Sequence, residues 1–282
     1  MLLKWKNHHI EEVEVNLLLS ALHERYGYDF NGYARASLKR RLLALTHHFK
    51  VTQLSQLIPL ILYDENIAQT VIHQISVPTS EFFRDPWVWQ YLRTTIFPKL
   101  SSFPRINIWQ AGCGHGQEAY SLAILLYEMG LLNRSHIFSS DINSSFIEQA
   151  QTGCWALRHK QQWQDNYVLT GGHNNQFTEF FFSTRTTLCI RDQFKQNIEF
   201  VLHNLVNDDV FKEVQLVMCR NVLLYFGNTL QERVVNLFTR SLERGGYLLL
   251  GCGENIVDLP EKQPQLELLD SSLQLYRKRI GV

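Results

Sequence analysis

Ile106-Asn107-Ile108-Trp109-Gln110-Ala111-Gly112-Cys113-Gly114-His115-Gly116, continued by Gln117-Glu118-Ala119-Tyr120-Ser121, is the stretch that decides the fold. Ile106 to Trp109 is a short strand pattern. Three glycines on alternate positions follow, and a helical pattern from Glu118 to Met129 starts at once, with Gly130 placed to cap it. Glycines let a backbone pass close to a ligand, and a helix N-terminus favours an anionic group. A tight strand-to-helix turn without a ligand would use the same residues. The dinucleotide fingerprint G-x-G-x-x-G is not met, because the third glycine comes one residue early. That tilts the reading from a nicotinamide dinucleotide toward S-adenosylmethionine.

Downstream, the same grammar repeats. His136 to Asp141 is a second strand and Ser144 to Ala150 a helix. Val214 to Cys219 is a strand, Thr229 to Leu242 a helix, and Gly245-Gly246 turns the chain into Tyr247 to Gly251. Strands alternating with helices predict βαβ units and a doubly wound α/β sheet. Between about 160 and 201 the rhythm breaks. Phe177–Phe182, Thr186–Ile190 and Asn197–Val201 read as strands without helices between them, hence a small antiparallel β insertion. Asp141 ends the second strand, where open α/β sheets place an acid on a ribose diol. An N-cap for the next helix is the competing use of that aspartate.

Upstream, no strand signal precedes residue 100. Val13, Leu17, Leu18, Ala21 and Leu22 recur at helical spacing, with Tyr26-Gly27 as the stop. A second helix runs from Tyr33 through Leu42, its apolar face continuing as Leu38, Leu42, Leu45 and Phe49 and its other side basic with Arg35, Lys39, Arg40 and Arg41. Two short helical patterns fill residues 52–75.

Composition narrows the function. The 282 residues carry 27 Lys+Arg against 27 Asp+Glu, so the chain lacks the basic excess of a dedicated nucleic-acid binder. No apolar run reaches the length of a membrane span, and the N-terminus shows no signal-peptide core. Five scattered cysteines without a C-x-x-C pair argue against a disulfide framework or a zinc site and for a cytoplasmic location. His8-His9 and His47-His48 lack helical ligand spacing, so no metal site is expected.

Several strings together resemble CheR-type chemoreceptor glutamate methyltransferases: Glu81-Phe82-Phe83-Arg84-Asp85, Trp109 to Ser121, Ser140-Asp141-Ile142, Asn204-Leu205, Cys219 to Phe226 (CRNVLLYF) and Gly245 to Glu254. The resemblance covers essentially the whole chain. It implies a Rossmann-like S-adenosylmethionine methyltransferase sheet, an N-terminal all-α domain at 1–85, and a methyltransferase domain at 86–282 holding the β insertion. It implies transfer of a methyl group from S-adenosylmethionine, leaving S-adenosylhomocysteine, to glutamates of a methyl-accepting chemoreceptor or a related helical signalling protein.

Residue by residue, the resemblance assigns the cofactor to Ser80, Arg84, Gly112, Gly114, Glu118, Asp141, Asn204, Leu205, Arg220 and Asn221. It places Arg84 and Tyr225 at the methyl transfer and turns Arg35, Lys39, Arg40 and Arg41 toward the receptor. Departures are Pro78 where the family has Asn, Gln117-Glu118-Ala119 for Glu-Glu-Pro, and Gly251-Cys252-Gly253-Glu254 for a Gly-His-Ser-Glu ending. They motivate a second reading, a non-catalytic cofactor-binding regulatory module.

Overall fold

The computed structural model describes residues 7–76, 80–173, 176–210, 212–254 and 263–280. Pro78 lies outside them. The chain divides into two compact units, Met1–Val77 with Leu224–Arg233, and Pro78–Leu223 with Val234–Val282.

The first unit is helical: α1 (Asn7–Tyr26), α2 (Arg35–Phe49), α3 (Leu57–Tyr63) and α4 (Glu65–Ile75). Leu38, Leu42 and Leu45 of α2 bury the expected stripe. On α1 the buried face is Val15, Leu18, Leu19 and Leu22, while Val13 and Leu17 are exposed, a departure from the sequence reading. The helix is apolar on both sides, so periodicity could not choose between them. Asp64 caps α4 by accepting from the Asn66 and Ile67 amides. The segment Leu224–Arg233 is tied to the start of α2. Ala34 N–H donates to the Tyr225 carbonyl at 2.6 Å, Gly227 N–H donates to the Gly32 carbonyl at 2.8 Å, and the Tyr33 and Phe226 rings meet edge to face.

The second unit contains strands β1 (Ile106–Ala111), β2 (Ser135–Asp141), β3 (Cys154–Ala156), β4 (Phe181–Ser183), β5 (Thr187–Ile190), β6 (Ile198–Leu202), β7 (Val214–Cys219), β8 (Leu242–Leu250), β9 (Leu266–Asp270) and β10 (Leu275–Lys278). Its helices are α5 (Pro86–Tyr91), α6 (Phe97–Leu100), α7 (Gln117–Glu128), α8 (Ser144–Thr152) and α9 (Lys160–Leu169), with α10 (Asn228–Ser241) entering from Val234 onward. The large sheet has the order β6-β2-β1-β7-β8-β10-β9. Its first five strands are parallel, and β10 and β9 add an antiparallel edge. Every residue of β7 is buried, as a strand covered on both faces requires. The register aligns Ser140, Ala111, Cys219 and Leu250 across four neighbouring strands, so the loops after β1, β2, β7 and β8 leave from one edge.

The insertion differs in detail from the sequence reading. Its small sheet is β3-β5-β4. Ile198–Leu202 pairs in parallel with β2 and belongs to the large sheet. Residues 177–180 form a 3-10 turn, and Lys160–Leu169 is helical, anchored by buried Trp163 and Tyr167. The cysteine reading is also corrected: Cys154 and Cys189, directly opposite on β3 and β5, are joined in a disulfide. Antiparallel pairing brings together two residues that spacing alone gave no reason to connect.

Candidate active site at the carboxyl edge of the sheet

Four of its own peptide donors fix the loop after β1, and a fifth, from Asn143, fixes the aspartate it leans on. The N–H groups of Gly112 and Cys113 both donate to the Ser140 carbonyl, at 2.8 and 2.9 Å. Gly116 N–H closes the turn on the Cys113 carbonyl. Gly114 N–H donates to Asp141 Oδ2 at 2.9 Å, and Asn143 N–H donates to Asp141 Oδ1 at 3.0 Å. Gly112 has φ +76°, and a Cβ there would stand 2.3 Å from Val222 Cγ2, so only glycine fits.

Asp141 therefore ends β2 with its carboxylate held by backbone amides, Oδ2 by Gly114 and Oδ1 by Asn143. It is not the N-cap of α8; Asn143 takes that role, accepting from Ser145 N–H. Burial pushes the Asp141 carboxyl above its ordinary range, and the Asn143, Gly114 and Ile142 amides pull it back. Each oxygen keeps lone-pair capacity for a further donor such as a hydroxyl.

Arg220 follows β7 and is the hub of the site. Its side chain is 0% exposed. Nη1 donates to Glu118 Oε2 at 2.8 Å; Nη2 donates to Asp85 Oδ2 at 2.6 Å and to the Arg84 carbonyl at 3.2 Å. Trp89 Nε1 donates to the same carbonyl at 2.8 Å. Burial raises the Glu118 carboxyl, while the Arg220 and Arg84 guanidiniums oppose that shift.

The backbone around Arg84 is unusual. Phe83 and Asp85 have φ of +52° and +55°, and Asn221, beside Arg220, has φ +62°. Non-glycine residues in this region store on the order of 1–3 kcal/mol each and cluster at functional sites. Here the surroundings hold them: Phe83 N–H donates to Ser121 Oγ at 3.1 Å, and Val88 N–H donates to the Asp85 carbonyl at 2.9 Å.

Asn204 and Leu205 reach the same edge just after β6, because His203 N–H donates to the Asp141 carbonyl at 3.0 Å. Asn204 Oδ1 accepts from Val206 N–H, which leaves its Nδ2 for other use. Ser80, Arg84, Gly112, Gly114, Glu118, Asp141, Asn204, Leu205, Arg220 and Asn221 thus all belong to the sheet-bearing unit. Tyr225 and the basic residues belong to the helical one. There Arg35 pairs with Glu12, and Lys39 with Glu11 and Glu12. Arg41 donates to the Ile75 carbonyl and lies 4.3 Å over the Tyr225 ring. Of the four basic residues, Arg40 is the exposed one.

Sequence reasoning missed Asp85 and Glu254 as parts of this architecture. Glu254 is buried and accepts from Gly251 N–H at 2.6 Å, closing the loop after β8. An acid directly after Arg84 was the available signal for the first; for the second it was the place of Glu254 at the end of the Gly251-Cys252-Gly253-Glu254 string.

The residues fit S-adenosylmethionine. Ser80 Oγ, Gln117 Oε1 and Glu118 Oε1 are buried without a hydrogen-bond partner among the described residues. Unmatched buried acceptors cost about 1–3 kcal/mol each, and a ligand carrying N–H donors relieves that cost. Among the described residues no cluster of His, Cys, Asp or Glu could hold a metal ion.

Comparisons with known proteins agree. The chain is 37% identical over 267 residues to the Cher3 protein of Pseudomonas putida, covering 95% of this chain and 97% of that one. It is 29% identical to chemotaxis protein methyltransferase 1 of Vibrio cholerae (80% of this chain, 82% of that one) and 26% identical to the chemotaxis protein methyltransferase of Listeria monocytogenes (82% and 86%). The all-alpha domain of CheR methyltransferases matches residues 14–76, and the S-adenosylmethionine-binding domain matches residues 78–270. The chain belongs to the CheR methyltransferase family, a family of S-adenosylmethionine-dependent enzymes.

Proposed function

We propose that the chain methylates glutamate side chains of a methyl-accepting chemoreceptor, or a related helical signalling protein, in the cytoplasm, forming glutamate methyl esters. The observation that carries this reading is the Arg220 hub. It ties the Phe82-Phe83-Arg84-Asp85 segment to Glu118 beside the glycine loop, joining three of the strings that carry the family resemblance, since Arg220 itself stands in the Cys219 to Phe226 string. Partners of other classes, nucleic acid or a membrane interior, are not part of the proposal; no helix of the described residues is long and apolar enough to cross a membrane.

The cofactor supplies a methyl group activated by the positive charge of its sulfonium. Asp141 accepts from the ribose hydroxyls, and the Glu118 and Gln117 oxygens accept from the amino group. Arg220 opposes the rise that burial imposes on the Glu118 carboxyl and holds it in place. A substrate glutamate has an unperturbed pKa of about 4.3, so it arrives as a carboxylate and needs no general base. What the protein adds is alignment and exclusion of water. Arg84 orients the carboxylate by charge, and Tyr225 is proposed to do so through its hydroxyl. Methylation removes one negative charge per event from a receptor helix and so shifts its signalling equilibrium.

Mass spectrometry of a receptor cytoplasmic domain co-expressed with this chain tests the reading. Glutamates carrying one added methyl group are expected. A receptor that remains unmodified, beside a chain that binds the cofactor, would favour the regulatory module instead.

A further inference from the structure

We propose that Cys154 and Cys189 form a redox modification site that sets the cofactor affinity of the glycine loop. The two residues face each other across the β3–β5 ladder, one pair from Trp155↔Leu188. Backbone geometry brings them together. Gly153, with φ +65°, passes β5 so closely that a Cβ on it would stand 2.6 Å from Ile190 Cγ2, and its carbonyl accepts from Ile190 N–H at 2.8 Å. Cys189 is buried, whereas Cys154 is partly exposed, so an external thiolate or disulfide reaches the bond from the Cys154 side.

The neighbour of Cys154 provides the route to the cofactor. Trp155 Nε1 donates to the carbonyl of His115, the residue between Gly114 and Gly116, at 2.9 Å. The same indole packs edge to face on Phe82 at 4.9 Å and on Tyr120 of α7 at 5.4 Å. A three-residue strand therefore touches the glycine loop, the helix that follows it and the Phe82-Phe83-Arg84 segment. With the disulfide in place, β3 is fixed to β5 by a covalent bond in addition to its short ladder, and the indole is held against the loop. Reduction leaves only the ladder. Preorganisation of a loop raises affinity by lowering the ordering cost of binding.

The chemistry is thiol–disulfide exchange. On oxidation the two thiols lose two protons and two electrons as the Sγ–Sγ bond forms. A low-molecular-weight disulfide such as glutathione disulfide is the oxidant, and its own S–S bond breaks to give two thiols. A dithiol reverses the step. Of the three free cysteines, Cys113 and Cys219 are buried thiols that burial pushes well above their ordinary pKa, so they compete poorly for exchange; Cys252 is half-buried, with its thiol also raised by burial.

The inference rests on the glycine loop being the cofactor loop. The test is calorimetric titration of the full chain with S-adenosylhomocysteine, after equilibration with glutathione disulfide or with dithiothreitol. Iodoacetamide labelling and mass spectrometry identify which cysteines changed. The oxidised protein should bind about three- to tenfold more tightly, the equivalent of roughly one hydrogen bond. The double variant Cys154→Ser/Cys189→Ser should bind at the reduced level in both buffers, and Trp155→Phe should collapse the difference. If the double variant does not fold, the wild-type comparison with mapped cysteines carries the test. Equal affinity in the two states overturns the proposal, as does a redox difference that persists in the double variant. Failure to bind in either state overturns the cofactor reading beneath it.

Discussion

Replacing Arg220 by methionine keeps much of the side chain's length and removes its charge and donors. Two carboxylates then lose their partner: Glu118, 10% exposed, and Asp85, 26% exposed. Breaking a buried ion pair costs about 3–5 kcal/mol. Glu118 can escape the full penalty by taking up a proton. Relative to an unfolded pKa of about 4.3, protonation at pH 7 costs about 3.7 kcal/mol, which caps its share. The half-buried Asp85 adds about 1 kcal/mol. The expected loss at pH 7 is thus about 4–5 kcal/mol.

The pH dependence follows from the direction of the shift. Burial already raises the Glu118 carboxyl, and without Arg220 the Arg84 charge and the Gln110 amide remain to oppose it. Across the window between the unfolded pKa and the raised folded one, the folded variant binds a proton that the unfolded chain lacks. Stability relative to wild type therefore rises as pH falls through that window, by up to about 1.4 kcal/mol per unit, and levels off below the unfolded pKa. Urea unfolding of both proteins at pH 5, 6, 7 and 8 measures this. A wild-type-minus-variant difference below about 1 kcal/mol, or one that does not change with pH, would refute the reasoning that Arg220 neutralises a buried Glu118.

Asp141→Ala removes two amide acceptors and the proposed ribose contact, and should weaken S-adenosylhomocysteine binding about ten- to a hundredfold by calorimetry. Gly112→Ala should destabilise the protein by about 1–3 kcal/mol in thermal unfolding, since its Cβ meets Val222 and its φ is +76°; adding Val222→Ala should recover the steric part and leave the backbone part. Tyr225→Phe should lower methyl transfer while leaving cofactor affinity unchanged, and unaltered turnover would remove Tyr225 from the mechanism. Arg40→Glu should slow methylation of a receptor domain and steepen its loss with salt, because exposed charges are screened within about 8–10 Å; an unchanged rate at low salt would leave Arg40 a solvated side chain.

What the sequence revealed was local. The β1–glycine loop–α7 unit was legible because strand, turn and helix signals sit side by side in sixteen consecutive residues. Helix α9 was missed because it is mostly polar, and its only inward residues of size, Trp163 and Tyr167, sit one turn apart. Ile198–Leu202 was recognised as a strand but assigned to the wrong sheet, since its partner β2 is chosen by tertiary packing. The antiparallel edge β9–β10 went unread altogether. The disulfide depends on a register, Cys154 opposite Cys189, that no spacing rule encodes.

At the site, the residues that fit a ligand were found through family strings, but their use was not. Asp141 could have been a helix cap until Asn143 was seen to fill that place. Arg220 gave no sign that it would hold Asp85 and Glu118 together, because those contacts join segments far apart in the chain. The basic stripe on α2 read as a single face. Glu11 and Glu12 on the neighbouring helix neutralise half of it, a pairing that only helix packing creates.

The central claim is transfer of a methyl group to a carboxylate. It is tested most directly by incubating the chain with methyl-labelled S-adenosylmethionine and a receptor cytoplasmic domain, then treating the isolated receptor with alkali. The account predicts label on the receptor that alkali releases as volatile methanol, the signature of a glutamate methyl ester. Label that resists alkali, or none on any acidic helical receptor despite measurable cofactor binding, would contradict it.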